Sequence, residues 1–297
     1  MKTNQGAACV FSVDVEDWFH ILGLPGSSTC SEWETFPSRV ERNFLRLLDL
    51  LDQHLVSSTC FFLGWVAQKY PRLVREAFQR KHEIASHGNK HRLIYEMSRS
   101  EFREDASSSR KLLEDISGAS VDGFRAPGFS VTPATSWFFE TLLEAGFRYD
   151  SSVFPARHGH GGMPGAARGP HFIGELLEFP ITVASVLGRP ACFFGGGYLR
   201  LSPLPVIRAM AAQVLDEGRP IIFYVHPREI DSSQPRLPMP LHRRFKSYVN
   251  IASTERKITS LLAEFKFDTF GRLSEQYVER ANCWIDSPQP RVMAGGA

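Results

Sequence analysis

The chain has 297 residues, 43% hydrophobic and 22% charged, which supplies enough apolar surface to offset the entropy of ordering the chain and excludes disorder for its bulk. Lys and Arg number 34 against 32 Asp and Glu, a net charge of +2, so bulk charge selects no nucleic-acid partner. Five scattered cysteines without a CxxC pair exclude a disulfide framework and a thiolate metal site.

The run ACVFSVDV at 8–15 is β-branched and aromatic and reads as a buried strand that delivers acids at its C-terminal end. Asp14, Glu16 and Asp17 stand there, where carboxylates serve either to hold a metal and take up a proton or, more plainly, to cap a helix. From Val40 the apolar residues Phe44, Leu47, Leu48, Leu51 and Leu55 recur at three and four, predicting a core-facing helix. TCFFL at 59–63 is a second strand, 66–70 a helical turn stopped by Pro71, and 82–86 a third strand. That strand ends at His87-Gly-Asn-Lys-His91, two imidazoles four apart that share one cation if the segment is a helical turn.

Ser98 and Glu101 form a capping box ahead of a helix that Gly118 ends. The next strand, near 123–126, closes on Arg125-Ala-Pro, a guanidinium placed to hold a carboxylate by two parallel hydrogen bonds. Thr132-Pro133 starts another helix, Gly146 closes it, and Asp150 follows, either capping a turn or supporting a histidine. Between about 155 and 200 the alternation breaks into a Gly-, His- and Arg-rich insertion over one face, with LLEFPIT as a strand. Arg157, His158, His160 and Arg168 in it are candidates for a substrate mouth. A helix at 205–215, a strand at 220–226 ending in His226, a long loop at 231–249 and a helix at 253–265 complete the pattern, with 286–297 a mobile tail. Strand and helix alternate, which predicts an α/β fold with a parallel sheet and chemistry at the strands' C-terminal ends.

The order of these motifs resembles the polysaccharide deacetylases of the NodB-homology type, carbohydrate esterase family four, over roughly 8–231. Within them it is most similar to the exopolysaccharide-cluster subgroup with a C-terminal extension, which reads Asp-Val-Glu-Asp-Trp where the broader family has Thr-Phe-Asp-Asp. The resemblance implies a distorted (β/α) barrel, a single catalytic domain over 1–275 with an extension over 231–275. It also implies one divalent metal ion, commonly Zn2+ with Co2+ or Ni2+ as substitutes. The implied substrate is an N-acetylated amino-sugar glycan or its precursor. Asp14 matches the base, His87 and His91 the metal histidines, Arg125 the residue that positions the base, and His226 the acid. Either Glu16 or Asp17 is the metal carboxylate.

Two other readings stand beside this one: a metal-independent amidase of the allantoinase or cyclic imidase type on the same fold, and a catalytically silent carbohydrate-binding protein. No stretch of signal-peptide length precedes the acid cluster and no run reaches the ~20 apolar residues of a membrane span. The expectation is a cytoplasmic chain whose membrane contact, if any, is peripheral; the sequence does not give its oligomeric state.

Overall fold

The computed structural model describes residues 9–27 and 29–285; the tail expected at 286–297 lies outside the described residues. β1 (Cys9–Val15) is buried at every position. After the short α1 (Cys30–Trp33) comes α2 (Val40–Gln53), then β2 (Thr59–Phe62). Next are α3 (Gly64–Lys69), α4 (Pro71–Gln79), β3 (Glu83–Ser86), α5 (Arg99–Ser117), β4 (Gly123–Phe124), α6 (Trp137–Glu144) and β5 (Tyr149–Asp150). Four short strands follow, β6 (His171–Ile173), β7 (Leu176–Glu178), β8 (Ala184–Val186) and β9 (Arg189–Ala191). The chain continues through α7 (Gly196–Leu201), α8 (Leu204–Asp216), β10 (Ile222–Val225), α9 (Leu241–Tyr248), α10 (Ile251–Glu264), β11 (Phe267–Asp268) and α11 (Phe270–Ile285).

The main sheet runs β10-β1-β2-β3-β4-β5-β7-β6, with β11 beside the start of β1. All its pairings are parallel except β6 on β7. Parallel neighbours need crossovers, and the helices supply them along one face. Alternation along the strands sorts the apolar residues into two cores. Phe11, Cys60, Phe62, Ile84 and Phe223 pack under the helices. Val10, Phe61, Ala85, Tyr149, Leu177 and Ile222, from strands spread across the sheet, meet one another on the opposite face. Only a curled sheet brings them together, and the result is a mixed α/β fold whose sheet forms an incompletely closed half-barrel.

Local signals explain several boundaries. Ser98 accepts from the Glu101 amide while the Glu101 carboxylate accepts from the Ser98 amide, and Gly118 ends α5 in the left-handed region at φ 73°. Pro71 begins α4 rather than ending the helical segment, since a proline at the first helical position gives up only an amide that would have no partner. Leu55 is not part of the α2 stripe: it follows the helix at φ 55° and is 95% exposed. The expected loop at 231–249 contains α9. Within the expected insertion, β7 pairs with β5 and belongs to the barrel wall.

Candidate active site

The strand ends bring six side chains together: Asp14, Glu16, His87, His91, Arg125 and His226. Asp14 lies on the inner face of β1, two residues after Ser12, and Glu16 continues that alternation one residue past the strand. His87 follows β3 and His91 closes the same loop. This loop is no helical turn. Gly88 sits at φ 72° and His91 at φ 53°, the left-handed region that few non-glycine residues adopt. Asp105 of α5 fastens the loop between them, accepting from the Asn89 amide at 2.7 Å.

Both imidazoles aim at one carboxylate oxygen. His87 Nε2 and His91 Nε2 each lie 2.9 Å from Glu16 Oε1, and one ligand atom from each of the three residues falls within 4.8 Å of the others. His87 Nδ1 lies 2.7 Å from the Arg125 carbonyl, to which it donates. With Nδ1–H given to that carbonyl, Nε2 faces a carboxylate oxygen, an arrangement that calls for a positive charge between or upon them. Two imidazole nitrogens and a carboxylate on one side of a cleft are the donor set of a divalent cation with positions left open. Burial alone would raise the Glu16 pKa, but the His91 and His87 imidazoles hold it well below the usual range.

Asp17, the other candidate for the metal carboxylate, is engaged elsewhere. Its carboxylate accepts from the backbone amides of Trp18, Arg39 and Val40 and from the Ser38 hydroxyl, so it caps the start of α2 from a distance. Arg39, the residue before α2, makes no side-chain cap of its own. The acid cluster therefore divides: Glu16 joins the histidines and Asp17 caps a helix.

Arg125 is fully buried and reaches Asp14 Oδ1 from Nη1 at 2.7 Å. The same Nη1 donates to Ser12 Oγ, Nη2 to Ser151 Oγ and Nε to the Ser151 carbonyl. The guanidinium lies 4.1 Å from the centre of the Phe61 ring, a desolvated cation–π contact. With Oδ1 taken, the second oxygen of Asp14 lies 3.9 Å from His226 Nε2, which stands 4.0 Å from Glu16 Oε1.

Of the two tasks expected for Asp150, the structure contains the turn cap and not the support of a histidine. Asp150 accepts from the Ser152 hydroxyl and amide and pairs with Glu178. Burial drives both carboxyls upward, Asp150 to about 6 and Glu178 well above its ordinary value, as expected for two acids sharing a proton. His226 has a different neighbour: its Nδ1 is 3.6 Å from Glu229 Oε1, and Glu229 is itself ion-paired to the buried Arg200. Burial would raise Glu229, yet Arg200 and His226 hold it at about 2. Burial also opposes charge on His226, but Glu229, Glu16 and Asp14 together raise its pKa. Neither Glu229 nor Arg200 was singled out from the sequence; the spacing His226-Pro-Arg-Glu229 on a turn after a strand was the available signal.

Of the expected mouth residues, His158 packs on Phe154 with ring centres 4.6 Å apart, and burial lowers its pKa to about 4. His160 borders Gly128 of the arginine turn. Arg157 is exposed, and the Arg168 carbonyl accepts from Arg219.

Residues 33–149 match the polysaccharide deacetylase family. The deacetylase match contains His87, His91 and Arg125. Residues 151–275 match a domain of unknown function (DUF3473), which contributes His226, Glu229 and Arg200. Asp14 and Glu16 precede both matches, yet β1 pairs with β2 on one side and β10 on the other, so one sheet carries all three parts. The chain is 30% identical over 103 residues to a peptidoglycan-N-acetylglucosamine deacetylase of Bacillus cereus, covering 35% of this chain and 46% of that protein. Across the first curated relatives the match spans 30% to 46% of their length. Among solved structures, a putative polysaccharide deacetylase from Mycobacterium smegmatis shares the fold with a TM-score of 0.64 and 18% identity, covering 95% of this chain and 93% of that one. The PuuE allantoinase does so at 0.61 and 16%, with 94% and 92% covered.

Proposed function

We propose that the chain is a metal-dependent hydrolase that removes acetyl groups from N-acetylated amino sugars of a polysaccharide or its precursor. The observation that carries this reading is the convergence of His87 and His91 on the same oxygen of Glu16, beside Asp14 and His226. Glu16, His87 and His91 would hold the ion. Two imidazoles and a carboxylate suit zinc, and cobalt or nickel in its place. A divalent cation there supplies polarisation of the acetamide carbonyl and a lowered pKa for water.

The chain's own residues do the rest. Arg125 occupies Asp14 Oδ1, which leaves Oδ2 to take a proton from the attacking water. His226 Nε2 gives a proton to the departing sugar nitrogen, so that water and amide become acetate and free amine. Glu229, fixed by Arg200, holds the other side of the imidazole and favours its protonated form. The His226 side chain is 19% exposed, against 7% or less for Asp14, Glu16, His87 and His91, so it is the site group that substrate and solvent reach most readily.

A metal-free amidase would give Glu16, His87 and His91 no task, and a silent binding protein would need neither Asp14 nor His226. Acetate release from N-acetylglucosamine oligomers and peptidoglycan fragments in the presence of zinc tests the proposal. Turnover by the wild type that falls about 10²–10⁴-fold in Asp14→Asn supports it, and equal release by both refutes the assignment.

A further inference from the structure

The segment from 232 to 254 holds Arg236, His242, Arg243, Arg244 and Lys246 and contains no acid. Within it α9 turns two large apolar side chains outward, Leu241 at 82% and Phe245 at 56% exposure, four residues apart on one face. α7, which packs against α9, exposes Leu201 at 51%. None of the four Arg and Lys residues is paired with a carboxylate among the described residues.

The helix is firmly seated beneath this face. Tyr248 is buried and accepts from the Leu237 amide, and Arg200 donates to the Lys246 carbonyl. Arg243 donates to the carbonyls of Leu22 and Gly23. Leu22 in turn lies against Gly128, so α9 is fastened to the rim of the candidate site.

Aliphatic side chains flanked by unpaired cations suit a surface that is apolar inside and anionic at its border. Of Leu241, Phe245 and Leu201, only Phe245 has a flat face that a sugar ring could stack on, while all three suit an apolar interior. We propose that α9, with the adjoining end of α7, docks the protein on an anionic phospholipid membrane and turns the mouth of the site toward that surface. No helix among the described residues is long and apolar enough to cross a membrane.

Co-sedimentation of the full chain with vesicles of phosphatidylcholine plus phosphatidylglycerol, and with phosphatidylcholine alone, tests this. The expected result is partitioning onto the anionic vesicles that weakens with salt. The partitioning falls at least about tenfold in L241S/F245S and in R244E/K246E. Circular dichroism of each variant establishes that it is folded, and release of acetate from a soluble substrate is measured in parallel. A wild type that ignores anionic vesicles, binds both vesicle types equally, or is matched by the folded variants overturns the proposal. Absent acetate release bears on the hydrolase reading alone.

Discussion

Arg125 Nη1 and Asp14 Oδ1 meet at 2.7 Å, with Arg125 fully buried and the Asp14 side chain 3% exposed. Removing one member of such a pair leaves a buried charge without its partner. Arg125→Met is expected to lower stability by about 3–5 kcal/mol in chemical denaturation. Arg125→Lys keeps the charge but loses the planar fork that also reaches Ser12 and Ser151, so it should fold with greatly reduced turnover. Wild-type stability in Arg125→Met would contradict the pairing.

In the proposed chemistry Glu229 acts through His226, whose Nδ1 lies 3.6 Å from its carboxylate. Glu229→Gln removes a charge that raises the His226 pKa, so the alkaline limb of the pH–rate profile, where the acid is lost, should move to lower pH. Turnover should fall about 10- to 100-fold with KM little changed. A limb that stays in place would assign Glu229 a structural role only.

Asp231 accepts from Arg39, Arg42, Asn43 and Ser233, and burial is outweighed by Arg39, Ser233 and Asn43, which lower its pKa to about 2 from 3.8. A carboxylate depressed by folding contributes stability that is present above its unfolded pKa and is lost as pH falls through the folded one. Asp231→Asn should therefore cost roughly 1–2 kcal/mol at neutral pH and flatten the decline in stability between about pH 4 and pH 2, read from thermal melts.

The Asp150–Glu178 pair has the opposite sign. Burial raises Asp150 to about 6 and Glu178 further, so their contribution is complete below the unfolded carboxylate range and is lost as pH rises through about 6. Glu178→Gln removes one acid and provides an amide that can donate to Asp150. Melts at pH 8 should show a higher Tm than wild type, with acetate release within about twofold. A lower Tm at pH 8 together with a higher one at pH 4 would reverse the sign.

The strand-end histidines, the arginine turn and the capping box were legible because each rests on local pattern: apolar runs, a Ser-x-x-Glu box, a strand ending in a polar residue. What sets Glu16 apart from Asp17 in the structure is not local. Asp17 is claimed by the start of α2, which lies more than twenty positions along the chain, and only folding brings the two together. Of the two tasks read for Asp150, the turn cap on Ser152 is local, whereas its partner Glu178 comes from the middle of a segment that looked like an insertion. α9 was hidden because Pro235, Pro238 and Pro240 made the segment look like a loop, although Pro240 stands just ahead of the helix and does not interrupt it.

In the proposed chemistry Glu16, His87 and His91 hold one divalent ion. Zinc content per chain is measured after equilibration and gel filtration, for wild type beside His87→Ala and Asp17→Asn. About one ion is expected in wild type, none in His87→Ala, and retention by whatever fraction of Asp17→Asn remains folded. A wild type that holds no specific ion, or a His87→Ala variant that keeps it, would overturn the metal assignment.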